Sequence, residues 1–157
     1  MKTDAFDNVK DQIGYCGIWC GSCVVGTGAL MELTRKYREL VTSYGLAEWG
    51  PKDVDYERFY AALESVQGAP PCPGCLKGGG RDDCELRACA TGKGLDDCSA
   101  CEDQTTCRHA DLLEHMRSGA LKAGLFVKEG DVQREDLLAE WKSALKSKWP
   151  FQVLFTD

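Results

Sequence analysis

Histidine is scarce in this sequence, long apolar runs are missing, and cations are outnumbered. His109 and His115 are the only histidines in 157 residues. Neither stands in a recognisable catalytic arrangement, so histidine-based acid–base catalysis has no evident carrier. His109, two residues after Cys107, is either a substitute metal ligand or a packing residue. His115, six residues further on, points to a different side of the same helix, so the two do not share one metal. No stretch approaches the roughly 20 apolar residues of a membrane span, and no membrane association is expected. Met1 to Asp11 are polar and mixed in charge, without the apolar core of a signal peptide, so the expected location is cytoplasmic.

Lys and Arg number 19 against 25 Asp and Glu, a net charge of −6. An acidic chain is repelled by phosphate backbones, which makes nucleic acid an unlikely partner. A zinc ion held by four thiolates adds 2 − 4 = −2, so two such sites bring the total to about −10. The segment Lys77-Gly78-Gly79-Gly80-Arg81 resembles a phosphate loop in composition only. It lacks the spacing, and no strand precedes it, so it reads as a linker. The carboxylates are scattered. Asp82/Asp83 and Asp96/Asp97 read as solvated turn residues, and no acid–base pair emerges. Enzymatic activity is therefore not expected from these residues, unless a metal site leaves one position open to water.

Cysteine is what the chain has in abundance: ten residues in two blocks. Cys16, Cys20 and Cys23 form the first. Cys72, Cys75, Cys84, Cys89, Cys98, Cys101 and Cys107 form the second, after 48 residues without a cysteine. In a reducing cytoplasm such a set points to metal binding or redox chemistry. Complete disulfide pairing is the competing reading, because the count is even.

The insert between the blocks, residues 26–68, reads as helical. Leu30, Leu33, Tyr37, Leu40, Val41 and Tyr44 recur on one helix face, with Gly45 at the C-terminal end. A second helix, capped by Asp53, carries Tyr56, Phe59, Tyr60, Leu63 and Val66 and ends at Gly68. Residues 68–83, rich in Gly and Pro, read as loop. Gly74, inside Cys72-Pro-Gly-Cys75, supplies the backbone freedom of a tight turn around thiolates. A third helix is expected over 108–118, with Leu112, Leu113 and Met116 facing inward. A last helix, capped by Asp131, carries Leu137, Leu138, Trp141, Leu145 and Trp149 and stops at Pro150. Residues 151–155 read as a short strand or extended chain. The expected fold is mainly α: one domain over 1–157, with few or no strands and a small irregular cysteine-rich, metal-binding region packed against helices. Helices of the insert and of the C-terminus are expected to supply the core.

Cys20/Cys23, Cys72/Cys75 and Cys98/Cys101 share the spacing Cys-x-x-Cys, which lets one tetrahedral metal take both sulfurs of a turn. Economy suggests one zinc on Cys20, Cys23, Cys72 and Cys75 and another on Cys89, Cys98, Cys101 and Cys107. Cys16 and Cys84 are left over, and either can replace a neighbour. Residues 68–107 hold few large apolar side chains, chiefly Leu76, Leu86 and Leu95, so a zinc-finger-like site stands in for a core there. Two further readings compete at the first block. Trp19-Cys20-Gly21-Ser22-Cys23 looks like a thioredoxin motif, without the βαβ setting that activates one. Cys16-x3-Cys20-x2-Cys23 matches the cluster spacing of radical S-adenosylmethionine enzymes, without their length or alternating pattern. An iron–sulfur cluster is the main alternative cofactor.

The order Tyr15-Cys16-Gly17-Ile18-Trp19-Cys20-Gly21-Ser22-Cys23, then Cys72-Pro73-Gly74-Cys75, Cys84-Glu85-Leu86-Arg87-Ala88-Cys89-Ala90, Lys93-Gly94, Cys98-Ser99-Ala100-Cys101 and Cys107 resembles a known family. It is similar to the cysteine-rich bacterial and archaeal family catalogued as domain of unknown function number 3795, over about residues 12–115. The resemblance implies metal binding by all ten cysteines and no particular activity. Members of that family often carry a cysteine where this chain has Arg81, and an aromatic–Pro pair where it has Thr105-Thr106. Residues 116–157 form a helical extension beyond it. The reading that results is a structural-zinc binding or adaptor module with two zinc ions, recognised by a protein partner. An iron–sulfur or thiol redox protein using Cys16, Cys20 and Cys23 is the alternative.

Overall fold

A computed structural model describes residues 2–155; Met1, Thr156 and Asp157 lie outside it. Helix α1 (Lys2–Val9) leads into the first cysteine block, whose second part is a 3-10 turn at Cys20–Ser22. The insert holds α2 (Ala29–Ser43), the short α3 (Leu46–Trp49) and α4 (Tyr56–Gln67). A 3-10 turn at Cys75–Lys77, helix α5 (Glu85–Gly92) and 3-10 turns at Cys98–Ala100 and Gln104–Thr106 carry the second block. Helices α6 (Ala110–Lys122) and α7 (Arg134–Leu145) and a 3-10 turn at Phe151–Val153 complete the chain. Among the described residues there is no sheet, only isolated antiparallel bridges joining Ile13 to Trp19 and Ile18 to Val127. The mainly α expectation holds. Among the same residues, no helix is long and apolar enough to cross a membrane.

Trp19 is the centre of the core. It is fully buried, and its ring stacks on Trp141 at 5.7 Å and lies 5.8 Å from Phe126. Burying the indole N–H demands a partner, and Nε1 donates to the Lys10 carbonyl at 2.8 Å. Ile13, Ala29, Leu138, Leu145, Phe151 and Leu154 close around it. The first cysteine block and the C-terminal helix therefore supply the core, and the expectation that the insert would do so is corrected. From α2, Ala29, Met31 and Val41 are buried, and α4 has no fully buried residue. Leu30, Tyr37, Leu40 and Tyr44 remain exposed. The physical reason is that α2 and α4 pack on each other as a helical hairpin, with Tyr37 edge-on to Phe59 at 6.3 Å. Each apolar stripe is half-covered by the other helix rather than by the core.

Element ends show further differences. Asp55, not Asp53, caps α4, its carboxylate accepting the Arg58 N–H at 3.1 Å. Gly45 follows α2 with φ +63°, as its sequence position suggests. The third helix starts two residues later and runs four residues further than expected, to Lys122. Helix α7 begins after Gln133 without a side-chain cap, so Asp131 has no capping role. Trp149 lies beyond the helix end and is 68% exposed, off the expected buried stripe. The tail is a 3-10 turn that buries Phe151 and Leu154, not a strand. Helices α1, α3 and α5 have no counterpart among the elements expected from the sequence.

Candidate metal centre

Two of the Cys-x-x-Cys pairs adopt the same local form. Cys20–Ser22 and Cys98–Ala100 are 3-10 turns, closed by Cys23 N–H on the Cys20 carbonyl (3.1 Å) and Cys101 N–H on the Cys98 carbonyl (3.3 Å). A three-residue turn brings both cysteines to one side, as a shared ligand requires. The third pair differs. Gly74 has φ +92°, and the turn is closed by Gly79 N–H on the Gly74 carbonyl at 2.8 Å. A Cβ on Gly79 would lie 2.6 Å from the Cys72 sulfur, so only glycine lets the loop fold over that thiol.

The backbone knits these turns together. Cys20 N–H donates to Gln12 C=O at 2.9 Å, Cys72 N–H to Val25 C=O at 3.1 Å, and Cys98 N–H to Tyr15 C=O at 2.7 Å. Gln12, which no sequence motif marks, is 5% exposed. Its side chain donates to Asn8 C=O (2.7 Å) and Pro73 C=O (3.0 Å) and accepts from the Leu76 N–H (3.3 Å). One buried amide thus clasps the Cys72–Cys75 turn to the first block. No periodicity or spacing marks a lone glutamine for that task.

The thiols gather in two adjoining neighbourhoods. Burial pushes the Cys16 thiol up, and negative charge at Cys75 and Cys84 raises it further, against a backbone hydrogen bond at Ile18. Burial likewise pushes Cys20 up to about 11, with Cys75, Cys23 and Cys16 adding to the rise. Cys98 is pushed up to about 11, first by burial, with Cys16, Cys107 and Cys101 contributing and the Arg117 guanidinium opposing. Cys16, Cys20, Cys75 and Cys84 therefore interact from opposite blocks, with Cys23 beside them. Cys98, Cys101 and Cys107 form the second neighbourhood. Cys89 faces the same cavity, of about 370 Å³, together with Leu86 and Leu113. Cys16, a leftover in the economical pairing, sits where the two neighbourhoods meet.

Cations attend both. Arg87 Nη2 lies 3.7 Å from the Cys75 sulfur, and Lys93 Nζ, ion-paired first with Asp103 at 2.7 Å, lies 3.6 Å from the Cys101 sulfur. Arg87 falls three residues after Cys84, one helical turn along, which is the signal by which the sequence could have marked it. Behind the second group, Asp97 is 1% exposed, which corrects its reading as a solvated turn residue. Its carboxylate accepts the Ser99 N–H at 2.9 Å, so it caps the turn that begins at Cys98. Lys128 and Arg134 pair with it at 3.2 and 3.0 Å. Burial raises its proton affinity, but the Ser99 hydroxyl and amide and the Lys128 ammonium outweigh this, leaving its carboxyl below the usual range. His109 precedes α6, with Nδ1 3.0 Å from Glu85 Oε2, and His115 is exposed.

Among the described residues, no three Cys, His, Asp or Glu side chains stand in an arrangement able to hold a metal as they are turned. The donor chemistry nonetheless fits a thiophilic metal: sulfurs on adjoining turns with attendant cations. No curated protein and no solved structure matches the chain. Residues 12–112 match one family over its cysteine-bearing region, and the chain belongs to that family, described as "Protein of unknown function (DUF3795)".

Proposed function

We propose that the chain holds two zinc ions on its cysteines and serves as a binding or adaptor module for a protein partner. The observation that carries this reading is that Gln12 ties the Cys20 turn to the Cys72–Cys75 turn, from blocks nearly fifty residues apart, so that Cys16 and Cys20 lie within reach of the charge of Cys75. Burial and neighbouring sulfurs keep these thiols protonated, and a divalent cation that displaces the protons would tie the turns to one another. Cys16, Cys20, Cys75 and Cys84, flanked by Cys23 and Cys72, would form the first set. Cys89, Cys98, Cys101 and Cys107 would form the second. Binding requires the thiols of each set to turn toward a common centre. Such sites belong in a reducing compartment, consistent with a cytoplasmic location. The exposed apolar side chains of the insert, among them Leu40, Tyr44 and Trp49, support recognition by a protein.

An iron–sulfur cluster is the second reading. It is favoured by the 370 Å³ cavity beside the second thiol set, which is far larger than a bare zinc ion needs. A thioredoxin-like dithiol is not favoured: Cys20 is pushed up to about 11, the opposite of an activated nucleophile. The test is chelation. Removing metal should unfold residues 68–107 first, seen as lost helical circular dichroism and new protease cleavage there. Complete removal without either change refutes the structural role.

A further inference from the structure

Among the described residues, three buried side-chain N or O atoms lack a hydrogen-bond partner: Gln67 Oε1, Arg87 Nε and Arg117 Nη2. Two of these three are guanidinium N–H groups, and each belongs to a different thiol neighbourhood. Arg87 is anchored by Nη2, which donates to the Gly79 carbonyl and lies 3.7 Å from the Cys75 sulfur. Arg117 is anchored by Nε, which donates to Cys16 C=O at 2.9 Å. Arg117 also lines the cavity that Cys98, Cys101 and Cys107 face. A buried, charged donor left unpaired costs more than a hydrogen bond returns, so a fold that keeps two of them implies an acceptor in a working state of the site. The acceptor nearest in kind is anionic sulfur. Four thiolates on a divalent ion leave a net charge of −2, which an adjacent guanidinium offsets.

We propose that Arg87 and Arg117 are positioning residues, one for each thiol set, whose free N–H groups donate to metal-bound thiolate sulfur. This rests on the metal-binding reading. It adds that each site is completed from outside its ligands, and that the two sites are tuned independently.

Cobalt(II) is the probe, titrated anaerobically into the metal-free full-length chain, because its sulfur-to-metal charge-transfer band reports on the thiolates. The unaltered chain should bind in two steps. Arg87→Met should weaken one step and Arg117→Met the other, each by roughly 10- to 100-fold, the usual cost of losing an outer-sphere partner of a metal ligand. The band of the affected site should move to longer wavelength, because a thiolate relieved of a donor is easier to oxidise. Arg87→Lys and Arg117→Lys keep the charge and should recover part of the affinity, which a purely packing role would not produce. The lysine variants carry the test if a methionine variant fails to fold. Equal affinities and unmoved bands in all four variants overturn the proposal and leave metal binding intact. An unaltered chain that takes up no cobalt removes the metal-binding reading and this proposal with it.

Discussion

The Asp97 carboxylate lies 3.2 Å from the Lys128 ammonium, and both residues are almost fully buried, at 1% and 4% exposure. With Ser99 and Arg134 they form a closed polar cluster that joins the turn at Cys98 to the chain after α6. Removing one partner of such a pair strands the other charge. Asp97→Asn should lower stability by about 3–5 kcal/mol. Chemical denaturation of the metal-loaded protein checks this, and a loss under about 1 kcal/mol would show the pair to be dispensable. Because the carboxyl lies below its ordinary value of 3.8, its contribution is present above that pH and fades as pH falls below it.

Trp19 tests where the core lies. Trp19→Ala removes a ring that touches both Trp141 and Phe126 and should cost about 3–5 kcal/mol, whereas Trp49→Ala, at an exposed position of the insert, should cost within about 0.5 kcal/mol. Thermal melts of the two variants give the comparison. Equal losses would contradict a core built on the first cysteine block.

Gln12 tests the clasp. Gln12→Ala leaves the Leu76 N–H without its side-chain acceptor, while the Pro73 carbonyl keeps only the Asn8 amide as donor, at a cost of about 1–3 kcal/mol. Protease cleavage near residues 72–80 should appear in this variant before any loss at α7. Cleavage spread evenly along the chain would mean that the amide does not act locally.

The buried thiols set an alkaline limit on the metal-free chain. Cys20 and Cys98 ionise at about 11 when folded against an ordinary value of 9.0, so the folded state binds protons that the unfolded state has lost. Their stabilising contribution is complete below about pH 9 and disappears as pH rises through 11. Denaturation midpoints should fall across that window, and fall less in a Cys20→Ser/Cys98→Ser variant. Metal-loaded protein should not show the same decline there, because its thiols are already deprotonated.

Much of this fold is legible in the sequence. The 3.6-residue periodicities around Val41, Phe59 and Trp141 correspond to α2, α4 and α7, and Gly45 marks a true helix end. Periodicity, however, shows only that a face is apolar, not what covers it. The stripes of α2 and α4 cover each other, and Trp19, which reads as part of a redox-like motif, is the real anchor. Helix α5 escapes notice because its inward face is only Leu86 and Ala90, between cysteines that read as loop ligands. Asp97 reads as solvent-exposed because its partners, Lys128 and Arg134, lie more than thirty residues away. The cysteines themselves are plain in the sequence. Their grouping around Cys16 is not, since it depends on how the turns are hung from Gln12 and Tyr15.

The most direct test of the central claim is metal content, measured with an ultraviolet–visible spectrum on protein purified without oxygen. The structural-zinc reading predicts about two zinc ions per chain and no visible absorbance, since zinc has no d–d or redox transitions. Iron with broad visible absorption would contradict it and establish thiolate-bound cluster chemistry instead.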